Sequence, residues 1–172
     1  MPHRSPESLL ALLEAMGIAT TTVRHAPAFT VADALALAHG AHSHGALPPG
    51  VNVKNLFLKD AKGQLWLVSA PFERQIDLKA LPAKIGAKRL SFGNPDLLME
   101  TLGVIPGAVT PFAPINDTAR RVRVVLDAWM MGAARLNCHP LANDATTSIA
   151  PADLIEFLTR HHQPPAVVDL AD

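Results

Sequence analysis

Hydrophobic residues along this chain recur at helical and at alternating spacings, and the two spacings divide it into short elements. Leucines at helical spacing between Ser5, a good N-cap, and Gly17 predict a first helix over residues 6–16. Alternation over residues 53–60, a turn ending in Gly63 and an apolar run at 64–70 predict a β-hairpin. By the same criteria we expect further helices at 30–38, 81–87, 94–102 and 151–160, and further strands at 20–24, 89–92, 122–131, 136–139 and 147–149.

The order of these elements predicts the fold class. Helices and strands are interspersed, with hairpins but without strict βαβ repetition, which is typical of an α+β domain with a mixed sheet. We expect one domain with its core over about residues 6–161 and a loose acidic tail at 163–172. A chain of 172 residues can bury such a core without disulfides.

Charge balance and cysteine content narrow the function classes. Fifteen basic and fifteen acidic residues cancel, so only a local patch could attract a nucleic acid. Cys138 is the single cysteine, which rules out an intramolecular disulfide and fits a reducing compartment. The first residues lack a signal-peptide core, and no apolar stretch reaches the length of a membrane span. We therefore expect a soluble, cytosolic protein.

Lys54 stands on a strand that is otherwise bound for a core. Alternation places it on the same face as Leu56 and Leu58, and that face should be at least half buried. An unpartnered ammonium is costly to bury. Lys54 therefore either meets an anion at the mouth of a cleft or extends from the strand end to water. The strand alone favours the second alternative.

The segment GVIPGAVTPF at 103–112 follows a predicted helix and contains two glycines and two prolines. Glycine permits close approach of the backbone and proline fixes its path, so such a loop can aim amide N–H groups at an oxyanion. It can also be an ordinary connection between a helix and a strand. No GxGxxG or P-loop motif is present, which argues against a nucleoside triphosphate site.

A second polar segment begins at the cysteine. Cys138 and His139 are adjacent, but adjacent strand residues point to opposite faces, so we expect a buried, inert thiol and not a thiol nucleophile. His139, Asn143 and Thr146 surround a predicted turn. These side chains either line a polar pocket or tie the turn together.

Two other clusters carry less specific signals. His39, His42 and His44 have no local carboxylate or cysteine partner, which favours a solvated loop over a metal site. A basic stretch after the hairpin either follows an RNA backbone or forms an ordinary solvated surface. With two tryptophans and no tyrosine, base stacking is not an obvious mode of binding. The candidate RNA contacts are Arg74, Lys79, Lys84, Lys88 and Arg89.

Four strings occur in order along the chain: RHAPAFT at 24–30, KNLFLKD at 54–60, FGN through GVIPGAVTPF at 92–112, and HPLANDAT at 139–146. Together they resemble the free-standing prolyl-tRNA editing proteins, relatives of the insertion domain of bacterial prolyl-tRNA synthetase. The resemblance runs from about residue 6 to residue 157. The strings at 54–60 and 139–146 are most similar to the subgroup that deacylates alanyl-tRNA(Pro).

The resemblance implies hydrolysis of the ester that joins a wrong amino acid to the tRNA 3′ end. It also implies a central, largely antiparallel, barrel-like sheet. Lys54 would hold the phosphate of the terminal adenosine or the substrate carbonyl, and His139 would join the catalytic set. The backbone of Gly103, Pro106 and Gly107 would face the reacting carbonyl. The attacking water would be activated with help from the ribose hydroxyl of the substrate.

A synthetase pocket built for proline cannot strongly exclude the smaller alanine. A second, tighter apolar pocket would admit alanine and exclude proline. We expect Val31, Leu56, Phe57 and Ile105 to line it. The matching strings add a second set of implied substrate contacts, namely Thr30, Asn55, Thr110, Asn143 and Thr146.

The implied partner is tRNA(Pro), through its acceptor stem and 3′ end, with prolyl-tRNA synthetase as a further candidate. No cofactor, DNA or membrane partner is expected. Three alternatives stay open: the same chemistry on another misacylated amino acid, such as cysteinyl-tRNA(Pro); a non-catalytic tRNA- or synthetase-binding module; and a metal-binding protein that uses the histidine loop.

Overall fold

A computed structural model describes residues 2–27 and 47–172 of the chain. The predicted helix at 30–38 and the histidines His39, His42 and His44 lie outside the described residues. Within the two described ranges, none of the helices is long and apolar enough to cross a membrane.

The described residues form short helices and strands in alternation. The helices are α1 (Pro6–Ala15), α2 (Leu81–Ile85), α3 (Pro95–Leu102) and α4 (Pro151–His161), with 3₁₀ turns at Pro106–Ala108, Ala113–Asn116 and Ala128–Gly132. The strands are β1 (Thr21–Arg24), β2 (Val51–Asp60), β3 (Leu65–Pro71), β4 (Leu90–Phe92), β5 (Val122–Asp127), β6 (Leu136–Cys138), β7 (Ala145–Ile149) and β8 (Ala166–Val168).

The strands join in one mixed sheet. Their order is β1-β7-β6-β2-β3-β5-β8, and β4 pairs with β2. The pairs β1–β7, β2–β3, β2–β4 and β6–β7 are antiparallel, while β2–β6, β3–β5 and β5–β8 are parallel. The predicted single α+β domain with a mixed, mostly antiparallel sheet is confirmed.

Apolar side chains cover both faces of the sheet. Phe57 and Leu67 project to one face and belong to the larger core, which α1, α3 and α4 also enter. Leu58 and Trp66 project to the other face and pack with Leu81 of α2. β2 is therefore apolar on both faces because it is covered from both sides.

Local sequence signals determine where the helices begin and end. Ser5 Oγ accepts a hydrogen bond from the Ser8 amide at 3.1 Å, and Asn94 Oδ1 accepts one from the Leu97 amide at 2.8 Å. Each contact satisfies an amide that has no partner within its own helix. α3 ends where Gly103 adopts a left-handed conformation, with φ +68°. These two predicted helices are confirmed.

The predicted strand at 122–131 is wrong in its second half. β5 stops at Asp127, whose carboxylate accepts a hydrogen bond from the Trp129 amide at 3.1 Å. This side-chain contact begins the 3₁₀ turn Ala128–Gly132. An apolar run alone does not reveal such a break, because hydrophobic content is the same in a strand and in a buried turn.

The prediction of a loose tail at 163–172 is also wrong. Part of this segment forms β8, which pairs in parallel with β5. Leu170 is 1% exposed and belongs to the smaller core. Lys84 Nζ donates to the carbonyls of Leu170 and Ala171 and pairs with Asp172 at 2.9 Å, so the end of the chain is attached to α2.

Candidate functional site

The middle of β2 lies at a gap in the sheet. One edge of β2 pairs with β3 along most of its length. The other edge pairs with β6 only at Val51 and Asn52, and with β4 only from Leu58 onward. Among the described residues, no strand pairs with this edge between those two points. The predicted site residues of β2 stand in this gap.

The glycine–proline loop follows α3. A Cβ at Gly103 would lie 2.6 Å from the exposed His3 imidazole and 2.8 Å from Asn116 Nδ2, which donates to the Leu102 carbonyl, so a side chain there would have to displace both. Three residues further on, Pro106–Ala108 form a single 3₁₀ turn. Pro106 has no N–H, and the Ala108 amide donates to the Ile105 carbonyl at 2.9 Å, so Gly107 supplies the amide that has no acceptor within the turn.

Asn55 ties this loop to the sheet. Its Nδ2 donates to the Val109 carbonyl at 3.1 Å, and its Oδ1 accepts from the Ser69 hydroxyl on β3. Both polar ends of the amide are engaged, so its orientation is determined by its neighbours. The hydrogen bond holds the loop against the gap in the sheet.

A cavity of about 180 Å³ lies between β2 and the loop. Of the apolar residues expected to form the pocket, Leu56 and Phe57 line it, whereas Ile105 is 44% exposed and does not. Thr30 and Val31 lie outside the described residues. The full lining is Asn55, Leu56, Phe57, Phe92, Gly93, Pro95, Leu98, Pro106 and Val109.

Lys54 projects from the face of β2 opposite to Asn55. It is half-buried, and its Nζ donates to the Arg74 carbonyl. Burial lowers the pKa of its ammonium, the Glu73 carboxylate opposes that shift and the Arg74 cation adds to it. An ammonium has three N–H donors, so two remain for an anion or a carbonyl. Within the described parts of the chain, no hydrogen bond joins Lys54 to the loop.

His139 continues β6 beside β2. Its Nδ1 lies 2.9 Å from the Ala145 carbonyl, which can only accept, so Nδ1 carries the proton and Nε2 presents a lone pair when the ring is neutral. Burial lowers the pKa of His139. The hydrogen bond to Ala145 and the Asp144 charge oppose that shift, and His25 adds to it. The neutral form therefore predominates at neutral pH.

The turn at 139–146 is tied to the end of β1. His25 Nε2 lies 2.8 Å from Thr146 Oγ1, its amide donates to the Asp144 carbonyl at 2.9 Å, and its ring centroid is 6.2 Å from that of His139. Asn143 is buried, and its Nδ2 has no partner among the described residues. Thr146 thus ties the turn together.

Two other residues singled out in the sequence, Thr110 and Cys138, are buried within the fold. Thr110 is fully buried at the end of the loop, and its hydroxyl accepts a hydrogen bond from the Phe112 amide at 3.3 Å. Cys138 is 2% exposed, and burial raises the pKa of its thiol. A thiol in that state is a poor nucleophile, in agreement with the expectation of an inert cysteine.

The candidate RNA-binding residues divide into two groups. Arg74 Nε pairs with the buried Asp127 carboxylate at 2.8 Å, and Lys84 is engaged by the end of the chain. Lys79, Lys88 and Arg89 are exposed. The exposed group is the more accessible of the two to a phosphate backbone.

The sequence prediction did not include three residues that the structure places at or near the site. His25 contacts a threonine 121 positions away, and Phe92, 64% exposed, stands at the mouth of the cavity. Asp127 lies 53 positions from its partner Arg74. The only available signal for His25 was its position in the RHAPAFT string, because contacts so distant in sequence leave no local pattern.

The fold and the loop-and-strand arrangement are those of an aminoacyl-tRNA editing domain. The family model of that description matches residues 25–157, and the chain belongs to this family.

Among curated proteins, the chain is 36% identical to "Prolyl-tRNA editing protein ProX" of Acetoanaerobium sticklandii over 90% of each chain. It is 37% identical to "Prolyl-tRNA synthetase associated domain-containing protein 1" of Danio rerio over 94% of this chain and 85% of the relative.

Solved structures agree on the fold. One, described as a candidate trans-editing enzyme for prolyl tRNA synthetase, superposes with a TM-score of 0.71 at 21% identity and covers 100% of this chain and 99% of its own. Another, hypothetical protein APE2540, gives a TM-score of 0.68 at 19% identity over 93% of this chain and 97% of its own.

Proposed function

We propose that this chain is a trans-editing hydrolase that deacylates alanyl-tRNA(Pro). The observation that carries the proposal is the Asn55–Val109 hydrogen bond, which holds the glycine–proline loop against the middle of β2 beside a small cavity. The likeness to a protein named for prolyl-tRNA editing supports the choice of tRNA. tRNA(Pro) would be bound through its acceptor stem and 3′ end, with prolyl-tRNA synthetase as a further candidate partner.

The proposed binding mode divides the substrate between the two faces of β2. The aminoacyl group enters the cavity between Leu56, Phe57 and the loop. The ammonium of Lys54 binds the phosphate of the terminal adenosine through the two N–H donors that Arg74 leaves free. The exposed cations Lys79, Lys88 and Arg89 contact the backbone further along the acceptor stem.

The reaction is ester hydrolysis assisted by positioning. Water attacks the ester carbonyl carbon, and the negative charge that develops on the carbonyl oxygen is stabilised by backbone amides of the loop, among them that of Gly107. The bond to the ribose oxygen then breaks, releasing alanine and a free ribose hydroxyl. The neighbouring ribose hydroxyl orients and helps activate the water. His139 offers a neutral Nε2 that can accept a hydrogen bond from the water or the ribose.

Substrate choice follows from size. A cavity shaped by Phe57, Pro106 and Val109 accepts a methyl side chain and resists the larger, rigid ring of proline. In a synthetase pocket built for proline, the missing methylenes of alanine weaken binding by only about 1–3 kcal/mol each, so alanine is poorly rejected. A second, smaller site that excludes proline supplies the missing discrimination.

The test is single-turnover hydrolysis of alanyl-tRNA(Pro) by the wild type, Lys54→Ala and the matched variant Lys59→Ala. Lys59 is exposed and points away from Lys54 on the same strand. Rapid hydrolysis by the wild type and by Lys59→Ala, with loss of about a hundredfold or more in Lys54→Ala, supports the proposal. Hydrolysis of cysteinyl-tRNA(Pro) but not of alanyl-tRNA(Pro) would keep the proposed chemistry and make cysteinyl-tRNA(Pro) the substrate. Absence of any hydrolysis by folded wild type, with tRNA still bound, would favour a binding module.

A further inference from the structure

A second, larger concavity opens at the beginning of β2, on the side of Lys54. Its volume is about 530 Å³, and Asn52, Pro71, Glu73, Arg74 and Trp129 line it. We call it the Trp129 groove. The proposed function does not use its aromatic wall.

Trp129 is presented to solvent on a rigid support. It is 58% exposed, whereas the other tryptophan, Trp66, is 3% exposed. The Trp129 amide donates to Asp127 Oδ1 at 3.1 Å, and Asp127 Oδ2 pairs with Arg74 Nε at 2.8 Å. Asp127 is fully buried, so this link fixes the turn that carries the indole relative to Arg74.

The charges around the indole suit a nucleotide. The Arg74 side chain is 22% exposed, and the Arg74 carbonyl is the acceptor of Lys54 Nζ, so the groove adjoins the cation proposed to hold the terminal phosphate. Glu73 is exposed at the groove and presents a carboxylate acceptor. An aromatic face, a neighbouring cation and one acceptor are the groups that bind a stacked base.

We propose that the Trp129 groove binds a nucleobase of the single-stranded tRNA 3′ end, stacked on the indole, with Glu73 accepting from the exocyclic amino group of the base. This inference rests on the proposed function. The three bases of a CCA end all carry such an amino group, whereas uracil does not. The groove would therefore position the 3′ end while the aminoacyl ester occupies the cavity on the other side of β2.

The binding test uses two labelled trinucleotides, CCA and UUU, and uncharged tRNA(Pro), measured by fluorescence anisotropy. We expect Trp129→Ala to weaken CCA and tRNA binding about tenfold and Trp129→Phe, which keeps an aromatic face, to change it less than about threefold. Glu73→Gln should reduce the ratio of the affinity for CCA to the affinity for UUU. The control is Val167→Ala on β8, which removes a 45% exposed apolar side chain outside the groove and should bind as the wild type does.

Hydrolysis supplies the second readout. Trp129→Ala should raise KM for alanyl-tRNA(Pro) about tenfold with kcat changed less than about twofold. Unchanged CCA and tRNA binding in Trp129→Ala would overturn the inference. So would loss of prolyl-tRNA synthetase binding with oligonucleotide binding intact, since the groove would then be a protein-docking surface. Trp129-dependent binding of CCA by a wild type that hydrolyses no ester would overturn the proposed function and leave this inference standing.

Discussion

Asn55 Nδ2 lies 3.1 Å from the Val109 carbonyl, and this contact joins the middle of β2 to the glycine–proline loop. The same side chain accepts from Ser69 on the neighbouring strand, so the sheet and the loop share one amide. The loop carries the proposed oxyanion donors and the strand carries Lys54. The relative position of these groups therefore depends on Asn55.

Replacing Asn55 by aspartate should reduce hydrolysis more than stability. The variant keeps an acceptor for Ser69 but places a carboxylate against the Val109 carbonyl, so the loop moves away from the gap. We expect kcat to fall at least about tenfold, while the free energy of unfolding falls by about 1–2 kcal/mol. Single-turnover hydrolysis and urea denaturation measure the two effects. Ser69→Ala removes only the other contact of Asn55 and should keep most of the activity; an equal loss of kcat in both variants would contradict this role.

Shortening Val109 should relax the discrimination against proline. Val109 is half-buried and lines the cavity, so Val109→Ala enlarges it and keeps the backbone carbonyl that Asn55 binds. We expect hydrolysis of prolyl-tRNA(Pro) to rise about tenfold or more relative to the wild type. Ile105→Ala is the matched control, because Ile105 is 44% exposed and outside the lining. If the enlarged variant leaves prolyl-tRNA(Pro) intact, size exclusion by this cavity is wrong.

A comparison of two glycines separates backbone strain from steric overlap. Gly17 and Gly103 both have positive φ, but a Cβ at Gly17 meets nothing within 4 Å, whereas one at Gly103 meets His3 and Asn116. Gly17→Ala should cost about 1–2 kcal/mol of unfolding free energy from strain alone. Gly103→Ala should cost more and also lower kcat by displacing the loop. Thermal denaturation and hydrolysis assays on both variants test this; equal effects would show that the close packing at Gly103 has no consequence.

Acidification should weaken the fold through His139. Burial is the largest cause that lowers its pKa below the ordinary 6.5. The unfolded chain therefore takes up a proton before the folded chain does, and the free energy of unfolding falls as the pH drops below that ordinary value. The carboxyl pKa values of Asp60 and Asp117 are lowered below the ordinary 3.8. The stability that these two carboxylates contribute is therefore lost only when the pH falls below that value.

Replacing His139 by asparagine should flatten this dependence between about pH 7 and about pH 5. Urea denaturation at several pH values gives the slope. His161→Gln is the comparison, because burial also lowers the pKa of His161 but that side chain is mostly exposed, and its removal should change the slope less. If the unfolding free energy of the wild type and of His139→Asn changes with pH by the same slope, a group other than His139 causes the acid sensitivity.

Local features of the fold could be predicted from the sequence, and distant contacts could not. Asn94 and Gly103 determine the ends of α3 through bonds within a few residues, so both ends follow from the residue types. β8 escaped prediction because a three-residue strand has no pattern of its own and depends on its pairing with β5. The strand end at Asp127 depends in the same way on side-chain contacts that the apolar run does not reveal.

The candidate site shows the same division. The strings at 54–60 and 103–112 indicated the strand and the loop, but not that Lys54 and Asn55 serve opposite faces with different partners. Arg74 was predicted from its charge to contact RNA, and the sequence did not indicate that its Nε also pairs with Asp127, 53 positions away. A cation in a sequence does not reveal whether its partner is solvent, RNA or a buried carboxylate.

The most direct test of the central claim is a comparison of kcat/KM for alanyl-, cysteinyl- and prolyl-tRNA(Pro) with the wild-type protein under identical conditions. We predict that alanyl-tRNA(Pro) is hydrolysed at least about a hundredfold faster than prolyl-tRNA(Pro), with cysteinyl-tRNA(Pro) well below alanyl-tRNA(Pro). Hydrolysis of prolyl-tRNA(Pro) as fast as alanyl-tRNA(Pro), or no hydrolysis of any of the three by folded protein, would contradict it.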